Sequence, residues 1–275
     1  MSDADVVPEG VDPTRPSPAR LYDYYLGGTH NYEADRQAAE QIRQGMPELA
    51  DAAWANRGFH GRAAVWMAAS QGIGQFIDVG SGLPTQNNTH QAVRRVAPDA
   101  RVVYVDVDPI VAAHGAPLLA ADGSTTLITA DLRDPDAILE HPELRRLIDF
   151  SQPVGVLMTA VLQFIADGSD PWSLVKRYMA ATAPGSYLAL SHVTHDRLPP
   201  QITEVALEVY QRTPSNIYAR SRDEVARFFD GLELVPAQPG GERAITFTGL
   251  WGAEDADAAD SDGSRAFYCG VARRP

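Results

Sequence analysis

Gln75-Phe76-Ile77-Asp78-Val79-Gly80-Ser81-Gly82-Leu83-Pro84-Thr85 is the stretch that decides the fold. Phe76, Ile77 and Val79 are β-formers, and the run stops at Gly80-Ser81-Gly82. A helical pattern follows, with Ala92, Val93, Val96 and Ala97 on one apolar stripe. Strand, glycine turn and helix form the first unit of a doubly wound α/β sheet that binds a nucleotide. The glycines let the backbone turn sharply and let a ligand lie against bare amides. The helix after them is expected to aim its positive end at that ligand.

The spacing narrows the ligand. A dinucleotide fold wants Gly-x-Gly-x-x-Gly, and here Thr85 stands where the third glycine would be. No Gly-Lys-Ser/Thr follows, so the turn is not a P-loop. An acidic residue ahead of Gly-x-Gly suits a cofactor with an amino acid and a nucleoside but no phosphate. Arg101 to Val105 reads as a second strand ending in Asp106-Val107-Asp108-Pro109. A carboxylate at that tip, roughly two dozen residues past the glycines, is placed to accept both hydroxyls of a ribose. Thr125 to Thr129 reads as a third strand ending in Ala130-Asp131-Leu132, with Asp131 placed to accept from an adenine amino group.

Asp78-x-Gly80-x-Gly82, Asp106 and Asp131, at three successive strand ends, resemble the cofactor site of class I S-adenosylmethionine-dependent methyltransferases. The resemblance implies an α/β fold with a doubly wound, seven-stranded, mostly parallel Rossmann-like sheet. It also implies S-adenosyl-L-methionine as cofactor, with Ser81, Thr85, Val107 and Leu132 beside the acidic tips in contact with it. A fourth strand, Pro153 to Met158, ends at Thr159-Ala160, which in class I methyltransferases borders both cofactor and substrate.

Composition sets outer limits. The chain has 275 residues and a formal charge of −13, with no run of Lys or Arg, which argues against a nucleic-acid partner. Cys269 is the only cysteine, so no internal disulfide is expected. No His/Asp/Glu cluster has metal-ligand spacing. No run approaches a membrane span, and Met1 to Pro18 is acidic and proline-rich, unlike a signal peptide. A cytoplasmic protein is expected.

Residues 1–16 read as a disordered arm, and residues 17–72 as a helical cap and lead-in helix. Residues 73–275 read as the Rossmann-like core, with a helical insertion around 197–220. Ser17-Pro18 starts the first cap helix, Leu21, Tyr22, Tyr25 and Leu26 give it an apolar face, and Gly27-Gly28 ends it. A second helix runs from about Glu33 to Pro47, and a third from about Trp54 to Ser70. Asn56 and Arg57 stand upstream of the first strand, where a guanidinium could clamp a cofactor carboxylate. Strand candidates follow at 187–191, 232–235, 245–250 and 266–271, and the acidic stretch 254–263 reads as a flexible loop.

The segment Ser17 to Gly28, with Asn31, Asp35-Arg36, Ala55-Asn56-Arg57, Asp78 to Thr85 and Val103 to Pro109, is similar to the actinobacterial family once called domain of unknown function 574. The likeness runs from about Ser17 to Arg274. It implies a class I methyltransferase with a family-specific N-terminal cap, and it brings no known substrate.

Methyl transfer from a sulfonium mainly asks for positioning, and a base is needed only if the acceptor must lose a proton. Candidate catalytic residues are His192, at the tip of the fifth strand, His30 and Tyr22. His195 is a further candidate base, and Asp23 and Tyr24 could orient a substrate. A small-molecule methyl acceptor, neutral or cationic, is expected. Two alternatives are kept: a cofactor-binding regulatory protein without catalysis, and a nicotinamide-dependent oxidoreductase.

Overall fold

The computed structural model describes residues 7–84, 87–119, 123–197 and 200–275. Five parallel strands build the sheet: β1 (Gln75–Val79), β2 (Arg101–Asp106), β3 (Thr125–Thr129), β4 (Gly155–Thr159) and β5 (Tyr187–Val193). The order runs β3-β2-β1-β4-β5, then β8 (Phe267–Arg273), antiparallel to β5 from Tyr187↔Arg273 to Val193↔Phe267. The outer edge of β8 is shared by β6 (Glu233–Leu234) and β7 (Thr246–Phe247). The expected seventh strand position is therefore filled by two short pieces, and the sheet counts eight strands.

Period-two alternation assigns the two faces. Ile77, Val79, Val103 and Val105 pack with Ile138, Leu144, Val175 and Phe228. These come from α6 (Pro135–Leu139), α7 (Pro142–Leu147), α8 (Pro171–Ala181) and the turn after α10 (Arg222–Ala226). Phe76, Val102, Leu157, Ala189 and Val271 face the other way, onto Phe59, Ala63 and Met67 of α3 (Leu49–Gln71). β1 is buried at all five positions, as a strand covered on both faces must be. The order reverses between β1 and β4, which opens a crevice at the carboxyl ends of the strands.

α3 has 23 residues and begins five residues earlier than the sequence reading, because Leu49 to Ala53 are mostly good helix formers just past Pro47. It ends at Gly72, φ 68°, in the left-handed conformation that suits glycine. The helix after the glycine turn departs from expectation. α4 (Thr89–Val93) is only five residues long, because Pro84, Asn87 and Asn88 hold the chain in a loop first. α5 (Pro109–Leu119) follows β2.

Over the open end sit α1 (Pro18–Tyr25), α2 (Glu33–Gly45) and α9 (Pro200–Tyr210), the last in the insertion. Leu21, Ala38, Ile42 and Val209 form their shared core. Asp35, fully buried, holds this cap together. Its Oδ1 accepts from Ser17 N at 3.0 Å, and its Oδ2 accepts from Arg20 Nε at 2.8 Å and Tyr32 N at 2.8 Å. Ser17 Oγ in turn donates to Asp108 Oδ2 at 2.8 Å, fixing the cap to the tip of β2.

Residues 7–16, read from sequence as part of a disordered arm, lie across the top. Gly10 sits against Pro109, Val11 packs with Ile110, and Arg15 Nη2 donates to Thr213 O at 2.7 Å. Residues 1–6 lie outside the described residues. The acidic stretch 254–263 also carries structure: Asp255 caps α11 (Ala256–Ala259).

Asp35→Ala leaves Arg20 buried without its counter-charge, so it should destabilise the fold by about 3–5 kcal/mol. Glu143→Ala removes only the exposed pair with Arg146 and should cost about 1 kcal/mol or less. Urea unfolding of both variants checks the contrast.

Candidate functional site

The crevice holds a cavity of about 680 Å³, within the range of sites that bury drug-sized ligands. Its floor is the glycine turn. Gly80 has φ 72° and donates to Val105 O at 2.8 Å. A Cβ there would stand 2.1 Å from Val161 Cγ2, so the residue must be glycine for space as well as for its dihedral. Gly82, φ 66°, donates its N–H to Asp106 Oδ2 at 2.8 Å.

Asp106 is the central acceptor. Its Oδ1 accepts from Asp108 N at 3.0 Å. Each oxygen thus takes one backbone N–H and keeps acceptor capacity. Burial raises its pKa to about 6, against the lowering effect of the Asp108 and Gly82 N–H groups. Asp108 also lines the cavity, but its carboxylate is used by Ser17 Oγ and by Ile110 N, 3.0 Å away.

Asp78 sits behind the turn and does not line the main cavity. It opens on a smaller chamber of about 110 Å³, which shares Arg57, Ser81 and Gly82 with the larger one. Thr89 Oγ1 donates to Asp78 Oδ2 at 2.6 Å. With the Thr89 proton so directed, His60 Nε2 donates to Thr89 Oγ1 at 2.7 Å, and His60 Nδ1 accepts from Thr159 Oγ1 at 2.9 Å. Burial raises the Asp78 pKa to about 6. Burial and the nearby Arg57 lower that of His60 to about 3. The ring is therefore neutral at ordinary pH, with both nitrogens engaged.

Asn56 joins four elements. Its Nδ2 donates to Tyr22 Oη at 2.8 Å, and its Oδ1 accepts from Ser191 Oγ at 2.5 Å. Tyr22 Oη donates to Ala53 O at 3.1 Å, and Ser191 Oγ accepts from Ala160 N at 3.0 Å. Ala160 has φ 52°, a strained value for a residue with a side chain, and this network holds the tip of β4 in place. Asn56 is buried with its amide committed to protein groups, whereas Arg57 lines both chambers. Tyr22, Thr159 and Ala160 line the main cavity.

At the far end Val107, 60% exposed, and Leu132 present apolar surface. Asp131 lines the cavity, and both its oxygens accept from Arg133 Nε at 2.9 Å. That contact lowers its pKa. Thr85 lies outside the described residues.

The histidines named from sequence do not meet in the cavity. His192 is fully buried and absent from its lining. Its Nδ1 donates to Val193 O at 2.7 Å, and its Nε2 accepts from Arg220 Nη1 at 2.6 Å. Burial and the Arg220 charge lower its pKa to about 3. It has no lone pair free for a substrate proton, and the expected base is instead part of the core. His30 packs against His114, ring centroids 4.2 Å apart, away from the cavity. His195 is on the surface beside Asp196. Asp23 accepts from His30 N and Asn31 Nδ2 and fills the space a Cβ on Gly28 would need.

The sequence reading missed one cavity residue, His60, and one buried support, Arg220. His60 follows Asn56 by one helical turn, a spacing that puts both on one face. Arg220, 1% exposed, ties the loop after β4 to β5 through Leu162 O, Ile165 O, Asp167 and His192. No motif marks it.

Gly80→Ala should destabilise the protein by about 2–4 kcal/mol, combining dihedral strain with overpacking. Adding Val161→Ala removes Cγ2 but leaves its Cβ 2.6 Å from the added methyl, so it should recover only part of the loss, about 1 kcal/mol. Thermal unfolding of the two variants checks this.

A family model described as S-adenosyl methyltransferase matches residues 5–275. A crystal structure of a candidate methyltransferase from Thermobifida fusca is 39% identical, covering 97% of each chain with a TM-score of 0.88. A domain-of-unknown-function-574 protein from Streptomyces avermitilis is also 39% identical, covering 96% of this chain and 99% of that one, again with a TM-score of 0.88. The mitomycin 7-O-methyltransferase MmcR, 17% identical, covers 97% of this chain and 74% of its own with a TM-score of 0.50, a likeness of fold alone. No curated protein matches the chain. The chain belongs to the actinobacterial S-adenosyl methyltransferase family once called domain of unknown function 574, and its cofactor is S-adenosylmethionine.

Proposed function

We propose that the cavity binds S-adenosylmethionine along the ends of β1, β2 and β3 and serves in-line methyl transfer to a small molecule under the cap. The residues suit the cofactor. Asp106 is half-buried, keeps acceptor capacity and borders the cavity, as a ribose diol requires. Gly80, Ser81 and Gly82 leave room for close approach, Arg57 is the cation for a carboxylate, and Val107 and Leu132 flank the place for a base. Asp131 accepts from an adenine amino group once it exchanges part of its contact with Arg133. Thr159 and Ala160 border the reacting end. Asp78, Asn56 and Tyr22 act mainly by holding these groups in position.

When bound, S-adenosylmethionine supplies a methyl group already activated on a sulfonium sulfur. The chain's own part is to orient the acceptor and exclude water. His60 and His192 are neutral with both nitrogens engaged. The phenols of Tyr22, Tyr25 and Tyr210 are pushed above their ordinary range, chiefly by burial. None of these groups takes up a proton from an acceptor near neutral pH, so the reading favours an acceptor atom with a lone pair already available.

The observation that carries this reading is Asp106 at the tip of β2. Hydroxyl donors favour its ionised form, so binding lowers its pKa and protons compete with the ligand. Affinity for S-adenosylmethionine should be level above about pH 7 and fall by roughly tenfold per unit below about 6. Asp106→Asn should weaken binding by roughly ten- to a hundredfold at neutral pH and flatten the pH dependence. Calorimetry from pH 5 to 8 tests both; unchanged affinity in the variant would remove the ribose assignment.

A further inference from the structure

We propose that the part of the cavity between α2, α9 and the start of β8 is an acceptor site for an uncharged, aromatic-sized molecule that presents a hydrogen-bond donor to Gln163. The inference rests on the methyl-transfer reading above and adds the class of acceptor.

Two apolar clusters bound this region and share Leu49. One contains Ile42 and Tyr210 with Tyr25 and Phe164, and the other contains Phe267. The Phe164 and Tyr210 rings lie 5.8 Å apart, tilted by 39°, so planar surface is offered on one side. Among the described residues, no charged side chain of α2, 163–169, α9, 214–218 or 266–267 lines this end. The carboxylates and guanidiniums of the lining belong instead to the N-terminal arm, α1, α3 and the tips of β2 and β3. Arg15, on the arm, already donates Nε and Nη2 to the carbonyls of Arg212 and Thr213. A charged acceptor would lose its hydration here without a counter-charge, so the cationic class expected from sequence is set aside.

One buried polar atom at this end lacks a partner. Gln163 is 5% exposed, and its buried Oε1 accepts no hydrogen bond. Tyr25 Oη lies beside the Tyr210 phenol, close enough for each to shift the other's pKa. Gln163 and Tyr25 both line the cavity. Leaving a buried polar atom unpaired is costly. A ligand hydroxyl or N–H beside Gln163 Oε1 removes that cost, which a ligand with no polar group leaves in place.

The test uses the full chain. S-adenosylhomocysteine is titrated first, and its failure to bind would count against the cofactor reading, not this one. The loaded protein is then titrated by calorimetry with 2-naphthol, naphthalene, naphthalene-2-sulfonate and 2-(aminomethyl)naphthalene. 2-Naphthol should bind at least about tenfold tighter than either charged analogue and roughly three- to tenfold tighter than naphthalene. Gln163→Met should abolish the preference over naphthalene while leaving the S-adenosylhomocysteine affinity within about twofold. Gln163→Glu should keep that preference and admit the amine. Equal binding of neutral and charged probes to the loaded protein, or a preference for naphthol that survives in Gln163→Met, would overturn the assignment.

Discussion

The buried carboxylate of Asp35 is the constraint on which the site depends. A parallel sheet covered on both faces leaves only its carboxyl edge for chemistry, and in this chain that edge is roofed. The roof keeps one shape because Asp35 gathers Ser17, Arg20 and Tyr32 around two oxygens. It keeps one position because Ser17 passes the link on to Asp108. Carboxylates of a common type thus serve opposite ends: Asp35 and Asp108 are used up in structure, while Asp106, one strand turn away, keeps acceptor capacity beside the cavity.

Solvation sorts the remaining acids. Asp78 and Asp106 are both pushed to about 6 by burial. Each makes the ligand-free fold less stable as pH rises from the ordinary carboxyl range through about 6, because the native state holds the proton longer than the unfolded one. Donors from a ligand relieve that cost at Asp106. At Asp78 the Thr89 hydroxyl already relieves part of it. Asp131, a third exposed, has an arginine instead and stays ionised more readily.

Much of the fold was legible because its signals are local. Short apolar β-forming runs, strand-end acids and the glycine pair identified β1 to β5 and the glycine turn. The misreadings have physical causes. The helix after the turn was overextended, since the stripe through Ala97 continues past the last helical residue, while Asn87 and Asn88 delay its start. The arm looked disordered because its contacts are made by a single valine, backbone atoms and Arg15, which form no hydrophobic pattern. His192 looked catalytic because a strand tip predicts height in the sheet but not which way the ring faces. Arg220, contributed from the insertion, decides that, and pairing across 28 residues leaves no periodic trace.

The central claim is that one roofed cavity takes the cofactor through a ribose-binding acid and a glycine turn without a third glycine. Parallel calorimetry with S-adenosylmethionine, S-adenosylhomocysteine and NAD tests it most directly. The account predicts micromolar binding of the first two and none of NAD. Binding of NAD, or heat from none of the three, would contradict it.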